Sequence, residues 1–317
     1  MMRLFSSSGN QLNEMRAGSD PAGAVWIDLF EPTAEEAAAI APFGITLPSF
    51  AEMREIEVSN RLYRVEDIDY MTVVLPGLRA DGSQKALPVT LILSPDRLVT
   101  VRYHAPRPFA TYPQRAATSA AGCTSPHRIA MGLAEEIIGR QADLIEGIAE
   151  ELDKLLAEVL DDEGYSQPGM LRTTLRNLGL QGELLGRVRL GLLSLERALS
   201  FHRQIHASVD ADLLHIIDGA MHDIRALVEH GASVSERIGF ATDLTLGLIS
   251  VDQNTSMRIF SIVAVFFMPP TLIASIYGMN FTRMPELTSP WGYPLALLVM
   301  VGSSVLAYAI FKWRRWL

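Results

Sequence analysis

The 317-residue chain has a single cysteine, Cys123, which excludes an intramolecular disulfide and any cysteine-rich metal module. It is short of positive charge: 27 Lys and Arg stand against 36 Asp and Glu, a net charge of −9, so no basic footprint for a nucleic acid is expected. No glycine-rich phosphate loop, Gly-x-Ser-x-Gly turn or His/Cys cluster shows in the pattern. Enzyme activity, an ATP site and an organic cofactor are therefore not expected. The opening MMRLFSSSGNQ lacks the apolar stretch of a signal peptide. Charged residues at 20% are too many for a chain made mostly of membrane spans, and apolar residues at 49% too many for a disordered one.

Two uncharged apolar runs stand near the C-terminus. Residues 259–276 read IFSIVAVFFMPPTLIASI and residues 291–311 read WGYPLALLVMVGSSVLAYAIF. A bilayer core takes a helix of roughly 20 apolar residues, and both runs are close to that length. Pro269 and Pro270 would break most soluble helices but are tolerated in a membrane helix whose neighbours re-satisfy the backbone. Arg258 precedes the first run, and Lys312, Arg314 and Arg315 follow the second, while the segment between them holds only Arg283 and Glu286. Positive flanks stay inside, so both termini are expected in the cytoplasm. Trp291, Tyr293, Trp313 and Trp316 occupy interfacial positions.

Residues 1–125 read as an α/β cytoplasmic domain. Residues 24–30 form a strand-like run, Thr33 to Glu36 is a capping box opening a helix, and residues 69–75 make another strand. Residues 87–93 and 98–103 pair as a hairpin. The carboxylates Glu55, Glu57, Glu66, Asp67 and Asp69 are read as a solvated face. Residues 126–256 change to long helices with apolar positions at helical spacing, over 127–160, 170–206 and a third segment. That third helix begins near Ser208 or Asp210 and meets no strong breaker before Pro269. At 1.5 Å per residue it would reach roughly 90 Å, from cytoplasm into bilayer.

Alternating steps of four and three along this helix pick out Gly247, Ser250, Asn254, Met257, Ser261, Ala264, Met268, Thr271 and Ser275. All are small, polar or methionine, whereas the other faces carry Ile259, Phe260, Val263, Phe266 and Leu272. A period of 3.5 keeps one seam facing a common axis in a left-handed bundle. Such a seam suits tight helix packing or the wall of a wet channel. Two spans cannot enclose a hole, so a channel requires several copies around an axis. Asp243, one step back on the seam, would then form a carboxylate ring that draws cations.

After the first span the chain reads Tyr277-Gly278-Met279-Asn280-Phe281, then Met284-Pro285-Glu286-Leu287. Here it resembles the CorA family of divalent-cation channels, whose signature is Gly-Met-Asn at the end of the first membrane helix. The likeness continues in Gln253-Asn254, Pro269-Pro270-Thr271-Leu272, Trp291-Gly292-Tyr293-Pro294 and the closing KWRRWL, and is nearest the proteobacterial type. AVWIDLFEP near the N-terminus is also similar.

The resemblance implies a funnel-shaped homopentamer in the cell inner membrane, with stalk helices and two C-terminal transmembrane helices below the α/β domain. The spans would be 257–277, lining the pore, and 291–311, with 278–290 an external loop and 312–317 a cytoplasmic basic tail. It implies Mg2+ influx down the membrane potential, with Co2+ and Ni2+ fitting the same logic, and closure by cytoplasmic Mg2+. Gly278, Met279 and Asn280 would form the filter, Asn280 holding the ion through its waters. Asp243, Asn254, Met257, Ser261, Ala264, Met268, Thr271 and Ser275 would line the pore, and Glu286 would sit in the outer loop. A glycine C-cap at Gly278 is compatible with that role. Regulatory Mg2+ would bind among Asp210, Asp212, Asp218 and Asp223, facing Glu66, Asp67 or Asp69. The alternatives are a ZntB-like zinc transporter and, from another class, a membrane-anchored scaffold or sensor.

Overall fold

The computed structural model describes residues 1–55, 57, 60–78, 84–161, 169–206, 211–279 and 289–314. The chain divides into two compact units, Met1–Thr242 and Asp243–Leu317.

The first unit is built on a sheet of seven strands in the order β2-β1-β3-β7-β6-β5-β4. In chain order these are β1 (Met2–Ser8), β2 (Gln11–Glu14), β3 (Trp26–Phe30), β4 (Leu62–Val65), β5 (Ile68–Leu78), β6 (Gln84–Leu93) and β7 (Leu98–Arg102). All neighbours are antiparallel except the central β3 and β7. Side chains alternate across a pleated strand, so successive residues feed two cores. Trp26, Leu98, Leu91, Met71 and Val73 point into the larger one. Ile27, Val99, Ile92 and Tyr70 point into the smaller one, closed by Ile40 and Met53.

Short helices α1 (Ala34–Ile40) and α2 (Phe50–Met53) supply those last two residues. Each is started by a capping box, Thr33 with Glu36 and Ser49 with Glu52. The larger core receives α3 (Pro108–Arg115), α4 (Pro126–Leu160) and α5 (Met170–Ile205). Trp26 anchors it: its ring stacks on Phe5 at 4.5 Å, and its indole N–H donates to Thr100 Oγ1 at 3.1 Å. Behind Thr100, Arg102 grips the buried Asp28 through two bonds of 3.0 and 2.9 Å. Every charge in that network is paired, the condition under which a buried ion pair is tolerated.

The strands anticipated at 24–30, 69–75 and 87–103 are β3, β5 and the β6–β7 hairpin, with ends shifted by a few residues. β1, β2 and β4 went unread. β1 ends in three serines, and β2 and β4 are four-residue edge strands, which gain little from a buried face and carry little pattern. One correction concerns the solvated face. Glu55, Glu57, Glu66 and Asp67 are exposed, but Asp69 is buried at 1% exposure. It shares its parity on β5 with Met71, Val73 and Leu75, so the pleat turns it inward with them.

The third long helix is α6 (Ala211–Tyr277), one element that runs through Pro269 and Pro270 and contributes to both units. Its proposed cap, Ser208 or Asp210, lies outside the described residues. In the second unit it is joined by α7 (Gly292–Trp313). Both α6 and α7 are long and apolar enough to cross a bilayer.

Candidate functional site

The seam is described from Asp243 to Met279. Within the second unit, Ile262, Phe266, Pro269, Pro270, Ile273 and Tyr277 of α6 are half-buried, and every other residue from Val251 to Met279 is exposed. Those six residues mark where α7 lies. The Phe266 and Phe311 rings stack at 6.2 Å, and the α7 residues turned inward are mostly small: Gly292, Ala296, Ser304 and Ala307. Small side chains let two helices approach closely without a hydrophobic drive from lipid.

Ser304 also answers one of the prolines. Pro270 has no N–H for the carbonyl four residues earlier, that of Phe266. The Ser304 hydroxyl reaches that oxygen at 3.4 Å, sharing its proton with its own Met300 carbonyl at 3.4 Å. The helix therefore continues where a soluble one would stop.

At 100° per residue, the α7-facing stripe and the seam Met257, Ser261, Ala264, Met268, Thr271 and Ser275 lie roughly 160° apart around α6. The seam is on the far side from α7, and all of its members from Asn254 to Ser275 are exposed, Met257 at 65% and Met268 at 68%. Asp243, Gly247 and Ser250 extend it, also exposed. Three of its hydroxyls are fixed by bonds to the helix itself. Ser250 donates to Leu246 O at 3.0 Å, Ser261 to Met257 O at 2.8 Å and Thr271 to Phe267 O at 2.7 Å. With the proton directed back into the helix, each oxygen presents lone pairs outward. Such a face accepts hydrogen bonds, and the outer surface of a hydrated cation donates them.

At the end of α6, Gly278 N–H bonds Ala274 O at 2.9 Å and Met279 N–H bonds Ile276 O at 3.2 Å. Gly278 therefore stands at the C-cap of α6, without the positive φ that a left-handed cap would have. Asn280 and Glu286 lie outside the described residues, as does Asp210.

Two of the regulatory candidates on α6 are engaged within the chain. Asp212 pairs with Arg128 at 2.7 Å and Asp218 with Arg203 at 2.7 Å. Asp223 lines a groove with Glu135 and His215. Asp69 is turned toward three histidines, His206 Nε2 lying 2.7 Å from its Oδ2. Burial pushes the Asp69 carboxyl up, but His202, His206 and Arg64 outweigh it and hold the group below the ordinary range. Sequence reading missed those histidines. The visible signal was His202 and His206 at i, i+4, which places two imidazoles on one helix face.

The comparisons with known proteins agree with this architecture. The CorA-like Mg2+ transporter protein family matches residues 21–314. The chain belongs to the CorA family. It is 33% identical over 318 residues to the magnesium transport protein CorA of Pasteurella multocida, covering 100% of this chain and 96% of that one. Among solved structures it is similar to the complete CorA magnesium transporter from Methanocaldococcus jannaschii, with a TM-score of 0.71 at 19% identity over 98% of this chain and 97% of that one. A ZntB cytoplasmic domain from Vibrio parahaemolyticus is more remote, with a TM-score of 0.51 at 11% identity over 80% of this chain and 97% of that one. Both structural likenesses are of fold. The α/β sheet unit, the long helices and the two apolar C-terminal helices are those of CorA.

Proposed function

We propose that this CorA protein is a Mg2+ influx channel of the cell inner membrane, with its ion path along the α6 seam and its filter at Gly278-Met279-Asn280. The observation that carries the reading is the seam's position, on the face of α6 turned away from α7. A helix pair used only as an anchor has no need of a polar, hydroxyl-lined stripe facing neither its partner nor, in composition, the lipid.

Several copies, five by the family resemblance, would bring the seams together around an axis. Mg2+ releases its waters reluctantly and demands near-octahedral oxygen geometry. Rings of outward-facing Ser261 and Thr271 lone pairs, with Asn254 amides, would accept hydrogen bonds from those waters without stripping them. Asn280 carbonyls would do the same at the outer mouth. Met257 and Met268 would form apolar constrictions able to close by dewetting. Asp243 would gather cations at the cytoplasmic end, with both termini inside as the positive flanks favour. A charge of +2 crossing 100 mV gains about 4.6 kcal/mol, so entry needs no other energy source. Co2+ and Ni2+ fit the same path.

Closure by cytoplasmic Mg2+ would act through carboxylates of the first unit. Asp212 and Asp218 already hold arginines, so Mg2+ would have to compete with Arg128 and Arg203 there. Asp223, beside Glu135, and Asp210 are the other two positions.

Zinc transport has less support, since the Gly-Met-Asn and MPEL segments depart from the ZntB branch. The test is Mg2+ entry into proteoliposomes held inside-negative, wild type against Asn280→Ala. Potential-driven entry that falls at least about tenfold in the variant is the expected result, a loss of roughly 1.4 kcal/mol or more. Equal entry in both would remove the filter from this motif, and Zn2+ flux under a proton gradient without Mg2+ flux would move the chain to the zinc branch.

A further inference from the structure

Three histidines absent from any role above converge in the first unit. His127 is the second residue of α4, fixed there by the Ser125 cap and Pro126. His202 and His206 stand at the end of α5. Their rings lie 4.5–5.3 Å apart, and one ligand nitrogen from each falls within 4.8 Å of the others. Asp69 of β5 closes the group, its Oδ2 2.7 Å from His206 Nε2 and 3.8 Å from His202 Nδ1.

The cluster is under-satisfied. His202 has no exposed surface, yet neither of its ring nitrogens has a hydrogen-bond partner, and the same holds for His127 Nδ1 and Asp69 Oδ1. Arg64 comes only within 3.6 Å of that last oxygen. A buried polar group left unpaired costs about 1–3 kcal/mol. An apolar side chain would fill the position of His202 without that penalty, so a ligand that uses these nitrogens gives the arrangement a reason.

We propose that His127, His202, His206 and Asp69 form a four-ligand site for a borderline transition-metal dication, Zn2+ foremost, with Co2+ and Ni2+ as close substitutes. Three imidazoles and one carboxylate suit those ions and not Mg2+, which selects oxygen. A tetrahedral ion with bonds of 2.0–2.1 Å sets its ligand atoms about 3.3 Å apart. The two Asp69 Oδ2 distances straddle that value, and the widest nitrogen separation closes by roughly 1.5 Å through side-chain rotation. The bound ion would tie β5 to the start of α4 and the end of α5. Both helices also grip α6, through Arg128–Asp212 and Arg203–Asp218, which lie beside His127 and His202. The site uses none of the residues assigned to the ion path and stands whether or not Mg2+ is the cargo.

The test uses full-length protein in detergent, stripped with chelator and kept in millimolar Mg2+ to occupy oxygen sites. Co2+ is titrated while its d–d absorption is followed, then displaced with Zn2+. One equivalent per chain with tetrahedral Co2+ bands is expected. Affinity should weaken at least about tenfold in His127→Gln and in His206→Gln, and stay unchanged in His230→Gln, an exposed histidine of α6. These variants avoid the fully buried His202. A readout that needs no variant is the unfolding midpoint of wild type, which should rise with Zn2+ and not with added Mg2+. Absence of saturable Co2+ or Zn2+ binding would overturn the proposal, leaving the cluster as a hydrated polar pocket. Binding that survives both substitutions, or that Mg2+ displaces, would overturn it as well.

Discussion

His104 shows how one side chain can make the first unit sensitive to acid. It is 1% exposed, and its Nε2 donates to Leu75 O at 2.7 Å, so the end of β7 is tied to β5. Burial lowers its pKa from 6.5 to about 4, against the smaller opposing pull of the Leu75 carbonyl. Between those values the unfolded chain binds a proton that the folded one does not. Stability is therefore present above about pH 6.5 and drains away as pH falls toward 4, by up to roughly 3 kcal/mol for a shift of this size. His127, also lowered to about 4, adds in the same direction. The unfolding midpoint should fall between pH 7 and pH 4.5, and His104→Gln, which keeps the donor without the titration, should flatten that slope. Equal slopes would take His104 out of the account. Asp69 teaches a related lesson: nothing in its own neighbours along the chain separates it from the exposed Glu66 and Asp67. Its strand parity does.

The paired helices of the second unit depend on a compensation between elements. Pro270 leaves the Phe266 carbonyl without its helical donor, and Ser304 of α7 supplies part of one. Ser304→Ala should weaken the α6–α7 pair by about 0.6 kcal/mol and at most about 1.7 kcal/mol, the range measured for interhelical hydrogen bonds in bilayers. A lowered unfolding midpoint with Mg2+ entry intact is the expected outcome, since the seam faces away from α7. Loss of entry at unchanged stability would mean that the two faces of α6 are coupled. The apolar runs, the long helices and the polar seam were all legible beforehand, because a 3.5-residue period and an uncharged stretch are properties of one element. The edge strands β2 and β4 were not, because a four-residue strand is specified by the neighbour it pairs with.

In the proposed assembly, the field around the axis would govern how cations reach the pore. Asp243 is exposed and stands one step before Gly247 on the seam. Repeated by symmetry, its charge would raise the local cation concentration, an effect that salt screens over about 10 Å at 0.1 M. Asp243→Asn should slow Mg2+ entry severalfold at low ionic strength, and the difference should shrink as inert monovalent salt is added. A salt-independent difference would point to direct ligation, and no difference at all would remove Asp243 from the path.

Patterns along one helix or strand needed no partner to be seen: the two spans and the seam follow from period and composition, and the Gly-Met-Asn junction from its resemblance to a family signature. Which face α7 covers, which carboxylate turns inward and which histidines meet were decided only when the sheet and helices packed. Asp69, His127 and the pair His202 and His206 are separated by 57 and more residues in sequence, and only the pleat of β5 and the ends of α4 and α5 bring them together. Contacts of that reach depend on tertiary geometry, which local spacing does not encode.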